Sequence, residues 1–313
     1  MAAEVFRNIE GIYVGKHFSD DAIRSTMSYK PRPGDLFLTC YPKSGSCWAH
    51  RIIYNILMDA ADPDDPMDPF LRIPFLDMRG GDAAIYAPRP AAFKTHLPFS
   101  KAPYSPEAKY IHLARNPYDV CVSFYYHTRN VPAYNFQNGT FDEFFELFLQ
   151  GRVDFGDYFE NVLSWYRHWN DANVFSLTYE ELKENTREHI VKIAAFIDPD
   201  REKKLKENPE LIERILEKTN VENMKKIFNY NPQRLILKET KLLDNVRPEL
   251  QKGLRAYLDF INAPMKGDFV RKAKVGDWRN HFSLEQVAKM KERIAEATAG
   301  TDVMSLWKDV DLP

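Results

Sequence analysis

Residues Thr39–Met58, TCYPKSGSCWAHRIIYNILM, decide how the rest of the chain is read. Before them, Leu36-Phe37-Leu38 is a short apolar run behind Gly34-Asp35, the pattern of a buried strand. Within them, Trp48, Ile52, Ile53, Ile56 and Leu57 recur at helical spacing, so a helix starts near Ser46 or Cys47. Strand, tight loop and helix together make an anion-binding device. The first helical turn offers unpaired N–H groups and the positive end of the helix dipole, and Gly45 lets the backbone come close to a ligand. Lys43 adds a mobile cation, and Ser44 and Ser46 add hydroxyl donors. The loop is not GxxxxGK[ST], because Lys43 precedes Gly45 and Trp48 follows it. A Lys at the start of the loop reaches over the front of a terminal leaving group. The plain alternative is an ordinary strand-to-helix turn with a surface Lys.

The chain around this stretch has 313 residues, 44% hydrophobic and 13% aromatic, enough for an ample core. No linker, repeat or low-complexity segment divides it, so one domain is expected over 1–313. A net charge of −2 gives no field favouring nucleic acid or an anionic membrane. Cys40, Cys47 and Cys121 have neither disulfide-framework nor zinc spacing and are expected as reduced thiols. The eight histidines are scattered, and no metal site is expected. The opening MAAEVFRNIEG lacks a signal-peptide pattern, and no apolar run approaches ~18 residues, so a soluble, cytoplasmic protein is expected. Residues 62–69, DPDDPMDP, read as a solvated turn-rich loop, and 201–206, REKKLK, as an exposed helix face.

Short strands alternate with helices. Ala92–Thr95, Tyr110–Ala114 and Asn173–Leu177 are the further strand candidates. Asn116 with Pro117 reads as a helix start, and Thr140-x-x-Glu143, Thr178-x-x-Glu181 and Ser283-x-x-Gln286 read as capping boxes. The alternation predicts an α/β fold with a central, mainly parallel sheet flanked by helices on both faces. Such sheets bind ligands beyond the carboxyl ends of their strands. Lys43, His96, Arg115 and Tyr179 each follow a strand candidate, which argues for one shared site.

Three motifs carry the chemistry. The loop YPKSGSCW resembles the segment of the cytosolic sulfotransferase family that binds the 5′-phosphosulfate of PAPS (3′-phosphoadenosine-5′-phosphosulfate). That resemblance makes Lys43, Ser44, Gly45, Ser46, Cys47 and Trp48 cofactor contacts in a P-loop-like strand-loop-helix, with Ser46-Cys47 replacing the family's Thr-Thr. In FKTHLP, Lys94 and His96 are two apart at a strand end, so their side chains project to one side, and a neutral imidazole suits proton removal from an alcohol or phenol. The segment is similar to the family's KTHLP, whose His is the catalytic base. In YIHLARNPYDVCVS, Arg115 offers a planar fork for phosphate, with Ser123 eight residues on. The bare alternative is an Arg115–Asp119 ion pair. The segment resembles the family's 3′-phosphate site with Tyr118 in place of Lys, which implies that Arg115 and Ser123 hold the phosphate and Ser123 restrains Lys43.

Further segments match in family order. Residues 269–282, FVRKAKVGDWRNHF, resemble R-K-G-x-x-G-D-W and add Phe269, Arg271, Lys272 and Ala273 to the cradle, with Ala273 where the family has Gly. Weaker cofactor affinity or a small loop shift is expected there. Tyr179 and the stretch TNVENM, with Thr219, Val221 and Met224, resemble the adenine-binding segments, Val221 replacing a Phe. Phe75 and Met78 in LRIPFLDM and Phe155 in VDFGDYF are acceptor contacts by the same resemblance. The motifs at 39–58, 110–123 and 269–282 imply a PAPS-dependent sulfotransferase, acting by in-line transfer to a hydroxyl or amine of a small acceptor, a phenol or catecholamine, without a metal. The site would comprise His96 as base, also touching acceptor, and Lys43, Lys94 and Ser123. The positions aligned with the family's dimer segment, Arg279, Ser283, Leu284 and Ala288, lack its acidic residue, so a monomer or weak homodimer is expected. A non-catalytic PAPS- or nucleotide-binding protein and a P-loop nucleotide kinase are the rival readings.

Overall fold

The computed structural model describes residues 5–65, 67–229 and 265–313. Pro66 of the 62–69 stretch and the first four residues lie outside them. Leu36–Cys40 forms a strand, β3, preceded by a two-stranded hairpin described below, and it runs parallel to Phe93–Thr95 (β4) and Lys109–Ala114 (β5). Val174–Thr178 (β6) extends the sheet on the far side of β5, giving the order β4-β3-β5-β6, all parallel. Three of these strands agree with the strand candidates of the sequence to within a residue at either end, and β3 runs two residues beyond Leu38.

Burial on both faces explains the uninterrupted apolar run Leu36-Phe37-Leu38 of β3. Leu36, Leu38 and Cys40 face the helices Ser46–Leu57, Thr186–Ile197 and Pro209–Lys218, through Ile52, Ile53, Ile56, Ile190 and Ile215. Phe37 faces the opposite way, stacked on Tyr110 at 5.1 Å and edge-on to Phe93 at 5.4 Å, with Trp165 in the same cluster. All three expected capping boxes form, with Thr140, Thr178 and Ser283 accepting from the N–H three residues on. Asn116 caps the helix Pro117–Asn130, accepting from the Asp119 N–H.

Two parts depart from the sequence expectation. The 62–69 stretch is not all loop, since a short helix begins at Asp68, whose carboxylate takes the Tyr54 hydroxyl and the Arg72 guanidinium. The N-terminal segment forms an antiparallel hairpin of Phe6–Ile9 (β1) and Ile12–Gly15 (β2), separate from the main sheet. Its two-residue turn, Glu10-Gly11, has both φ angles positive, at 51° and 84°, the geometry that matches the twist of paired strands. No helix of the described residues is long and apolar enough to cross a membrane.

Candidate active site

Parallel strands end on one edge of the sheet, so the order β4-β3-β5-β6 sets His96, the Lys43 loop, Arg115 and Tyr179 side by side along it. They line one cleft of roughly 820 Å³. Every site residue expected from sequence lines this cleft except Ser44, which is fully buried beneath the loop with its hydroxyl unpartnered among the described residues.

The loop is shaped by two left-handed residues, Lys43 at φ 67° and Gly45 at φ 105°, around Ser44, whose N–H bonds the Tyr41 carbonyl at 3.2 Å. Left-handed backbone costs a non-glycine residue about 1–2 kcal/mol, so Lys43 is held there by its surroundings. At Gly45 no other residue fits, because an added Cβ would fall 2.7 Å from the Tyr179 ring and 3.1 Å from Leu113. The helix Ser46–Leu57 starts at once, and the N–H groups of Gly45, Ser46 and Cys47 find no acceptor among the described residues. Three donors and a helix N-terminus therefore converge beside Lys43. Burial pushes the Lys43 ammonium down to about 8, with Cys47 opposing and Arg115 and Lys94 reinforcing. It is cationic below that pH and loses its charge above it. Its Nζ rests 4.4 Å from the Phe269 ring centre, and among the described residues no hydrogen bond joins it to Ser123.

His96 is fixed at three points. Its Nδ1 lies 2.7 Å from the Cys40 carbonyl oxygen, which has no proton to give, so Nδ1 carries the hydrogen and Nε2 keeps its lone pair. Its backbone N–H donates to Asp77 at 2.6 Å, and its carbonyl accepts from the Asn161 amide at 2.9 Å. Asp77 also takes the Thr95 hydroxyl at 2.7 Å, and burial pushes its carboxyl up to about 7 against those hydrogen bonds. Burial, then the charge of Lys94, holds His96 well below its ordinary value, so it is neutral at pH 7. Phe75 and Phe155 stand edge-on to the imidazole at 4.9 and 5.2 Å, and Lys94 Nζ lies 4.2 Å from the Phe75 ring centre.

Arg115 joins two loops. Its guanidinium donates to the carbonyls of Lys43 at 3.3 Å and Lys274 at 3.2 Å and lies over the Tyr179 ring at 4.3 Å. Its Nε has no partner among the described residues. The ion pair with Asp119 is long, 3.6 Å, because that carboxylate serves the backbone, accepting from the N–H groups of Gly276 at 2.8 Å and Trp278 at 3.2 Å. Arg271 and Lys272 pair with Asp277 at 2.5 and 2.8 Å. Burial would raise the Asp277 carboxyl, but hydrogen bonds from Lys272, Arg271 and Asn280 outweigh it and hold it well below the usual range. Ala273 is left-handed, φ 50°, the conformation for which glycine is suited. Trp48, Tyr179, Thr219, Val221 and Met224 gather at the other side of the loop, the two rings 5.6 Å apart.

A sulfotransferase-domain family model matches residues 33–302. The chain belongs to the sulfotransferase family. Among curated relatives it is 31% identical over 284 residues to the amine sulfotransferase of Oryctolagus cuniculus, covering 89% of this chain and 85% of that protein. It is 33% identical over 293 residues to human sulfotransferase 1E1, covering 90% and 89%. The structure of mouse sulfotransferase SULT7A1 complexed with PAP superposes with a TM-score of 0.72 at 26% identity, covering 97% of this chain and 98% of that one. Retinol dehydratase, in a complex with retinol and PAP, shares the fold at a TM-score of 0.66 and 24% identity, over 94% of this chain and 89% of that one.

This sulfotransferase also contains residues that sequence reasoning passed over. Phe18, His127, Val131, Tyr134 and Asp154 line the cleft beyond Phe75 and Phe155. Glu180 ties three elements, accepting from Asn116 at 2.6 Å and from the Trp307 indole at 3.0 Å. Asp77 and Glu180 lie within the quoted motifs, and the sequence offers Asp119 only as an ion-pair partner of Arg115; the backbone groups that all three hold are distant in sequence, and no spacing announces them. The hairpin had a signal in Glu10-Gly11 between apolar runs. At the dimer-segment positions, Arg279 bonds Asp311, Ser283 caps its own helix and Leu284 is 92% exposed.

Proposed function

We propose that this enzyme moves the sulfuryl group of PAPS, in line, to the hydroxyl or amine of a small acceptor, a phenol or catecholamine, with His96 as general base. The observation that carries the reading is the Nδ1–H···O=C bond of His96 to Cys40, which leaves Nε2 free to accept a proton. The residues fit the cofactor: the free N–H groups of 45–47 and Lys43 suit a phosphosulfate, and Arg115, with an unpartnered Nε, and Arg271 and Lys272 suit a 3′-phosphate. Trp48 and Tyr179 supply faces for a purine. Bound PAPS supplies the sulfuryl group and departs as PAP. Lys43, with Lys94 and the loop donors, stabilises charge on the transferring group and on the phosphate oxygen that leaves, which is positioning plus electrostatics. Phe75, Met78 and Phe155 hold the acceptor against His96 and exclude water. A cytoplasmic location and a monomer or weak homodimer complete the reading.

The test is turnover of a phenol panel by the wild type and His96→Ala, beside calorimetric titration with PAP. The variant is expected to bind PAP normally and to turn over ~10²–10⁴ more slowly. An unchanged rate removes His96 from its role, and PAP binding without turnover by the wild type favours a non-catalytic binder.

A further inference from the structure

The cleft is polar at its reacting end and apolar through Phe18, Phe75, Met78 and Phe155, but it turns polar again at its far wall. That wall is carried by the turn Pro132–Tyr134 and the tight turn 153–156, with the N-terminal hairpin hydrogen-bonded behind them. The Phe155 N–H donates to the Tyr13 carbonyl at 2.7 Å, which holds Phe155 in a left-handed conformation, φ 66°. One residue earlier, Asp154 is 2% exposed and lines the cleft. One carboxylate oxygen accepts from the Gly15 N–H and the other from the Tyr134 hydroxyl. A carboxylate has about four acceptor positions, so the two bonds leave about two unused.

Among the described residues Asp154 has no ion-pair partner, and the basic side chain packed nearby, His17, 4.8 Å from the Tyr134 ring, is pushed down to about 3 by burial and carries no charge. A buried carboxylate without a cation is costly unless it takes a proton or a cation arrives. Burial raises its carboxyl to about 7, against the hydrogen bonds of Tyr134 and Gly15. A second group points the same way. His127 lines the same cleft, and its buried Nδ1 has no partner among the described residues. Its ring packs edge-on to Tyr134 at 5.6 Å and to Phe269 at 5.5 Å, so it stands between the far wall and the Lys43 region.

We propose that Asp154 determines acceptor specificity: it receives a cationic amine at the far end of the acceptor, with Tyr134 orienting the carboxylate and His127 giving a second polar contact. This rests on the phenol-type acceptor reading above and narrows it to phenols carrying an ammonium group on a short chain.

The test titrates the PAP-saturated full-length protein with 4-(2-aminoethyl)phenol and with 4-ethylphenol, which differ only in the ammonium. The wild type is expected to bind the amine at least tenfold more tightly, and Asp154→Asn, which keeps shape and an acceptor oxygen, to bring the ratio near one. Tyr134→Phe should move the ratio in the same direction by less, and it carries the test if the Asn variant does not fold. Equal ratios in wild type and variants, or binding of neither compound, overturn the proposal. Turnover of the two compounds reads the acceptor hypothesis separately: preferential binding of the amine without sulfation keeps Asp154 as the amine-binding residue and sinks the phenol reading.

Discussion

Two stretches of this sulfotransferase present donors to the same cleft, 41–48 and 269–277, and they are held in opposite ways. The first is local. It lies between a strand and a helix, its shape comes from two left-handed residues three and five positions after β3 ends, and its donors are backbone N–H groups of a helix start. The second has no strand or helix before residue 277. It is pinned by Asp119 to the backbone at Gly276 and Trp278, by Arg115 to the Lys274 carbonyl, and by Asp277 to its own Arg271 and Lys272. A set of donors made from backbone geometry needs only neighbouring residues. One made from side-chain cations needs distant carboxylates to keep it in place.

The difference can be broken most forcefully at Gly45. Gly45→Ala puts a Cβ into the Tyr179 ring at a left-handed position, where crowding and strain each cost about 1–3 kcal/mol. Calorimetric titration should find PAP affinity down by ~100-fold or more; a loss below about threefold would mean the loop's shape is not what binds. Asp119→Asn is a smaller blow. It removes the charge from two backbone hydrogen bonds worth about 1.5–3 kcal/mol apiece, and part of that loss should appear as a fall of about tenfold in PAP affinity. Unaltered affinity would show that 269–277 keeps its form without the tether. Smallest is Ala273→Gly, which relieves left-handed strain of about 1 kcal/mol at φ 50° and should tighten PAP binding by a few-fold. Affinity rather than stability is the readout there, since glycine also loosens the unfolded chain. Weaker binding would show that the Ala273 methyl makes a contact of its own.

The same contrast runs through what could be read in advance. The four main strands, the helix at Ser46, the capping boxes and the placement of Lys43, His96, Arg115 and Tyr179 on one edge all follow from periodicity and neighbouring residues, and the structure agrees. Residues whose partners are far along the chain escaped. Asp77 positions His96 across 19 residues, Asp119 reaches Gly276 across 157, and Asp154 meets Gly15 across 139. The hairpin at 6–15 carried a turn signal, but only tertiary packing bonds it to Asp154 and Phe155 behind the cleft.

By itself, then, the sequence determined the parallel α/β core, the strand-loop-helix at 36–57 and the family, because hydrophobic period, turn chemistry and helix capping act over a few residues. Tertiary structure alone decided the tautomer of His96, the tether of 269–277 and the polar far wall at Asp154. Each depends on which groups meet after folding, and whether a buried polar atom finds a partner is settled only there.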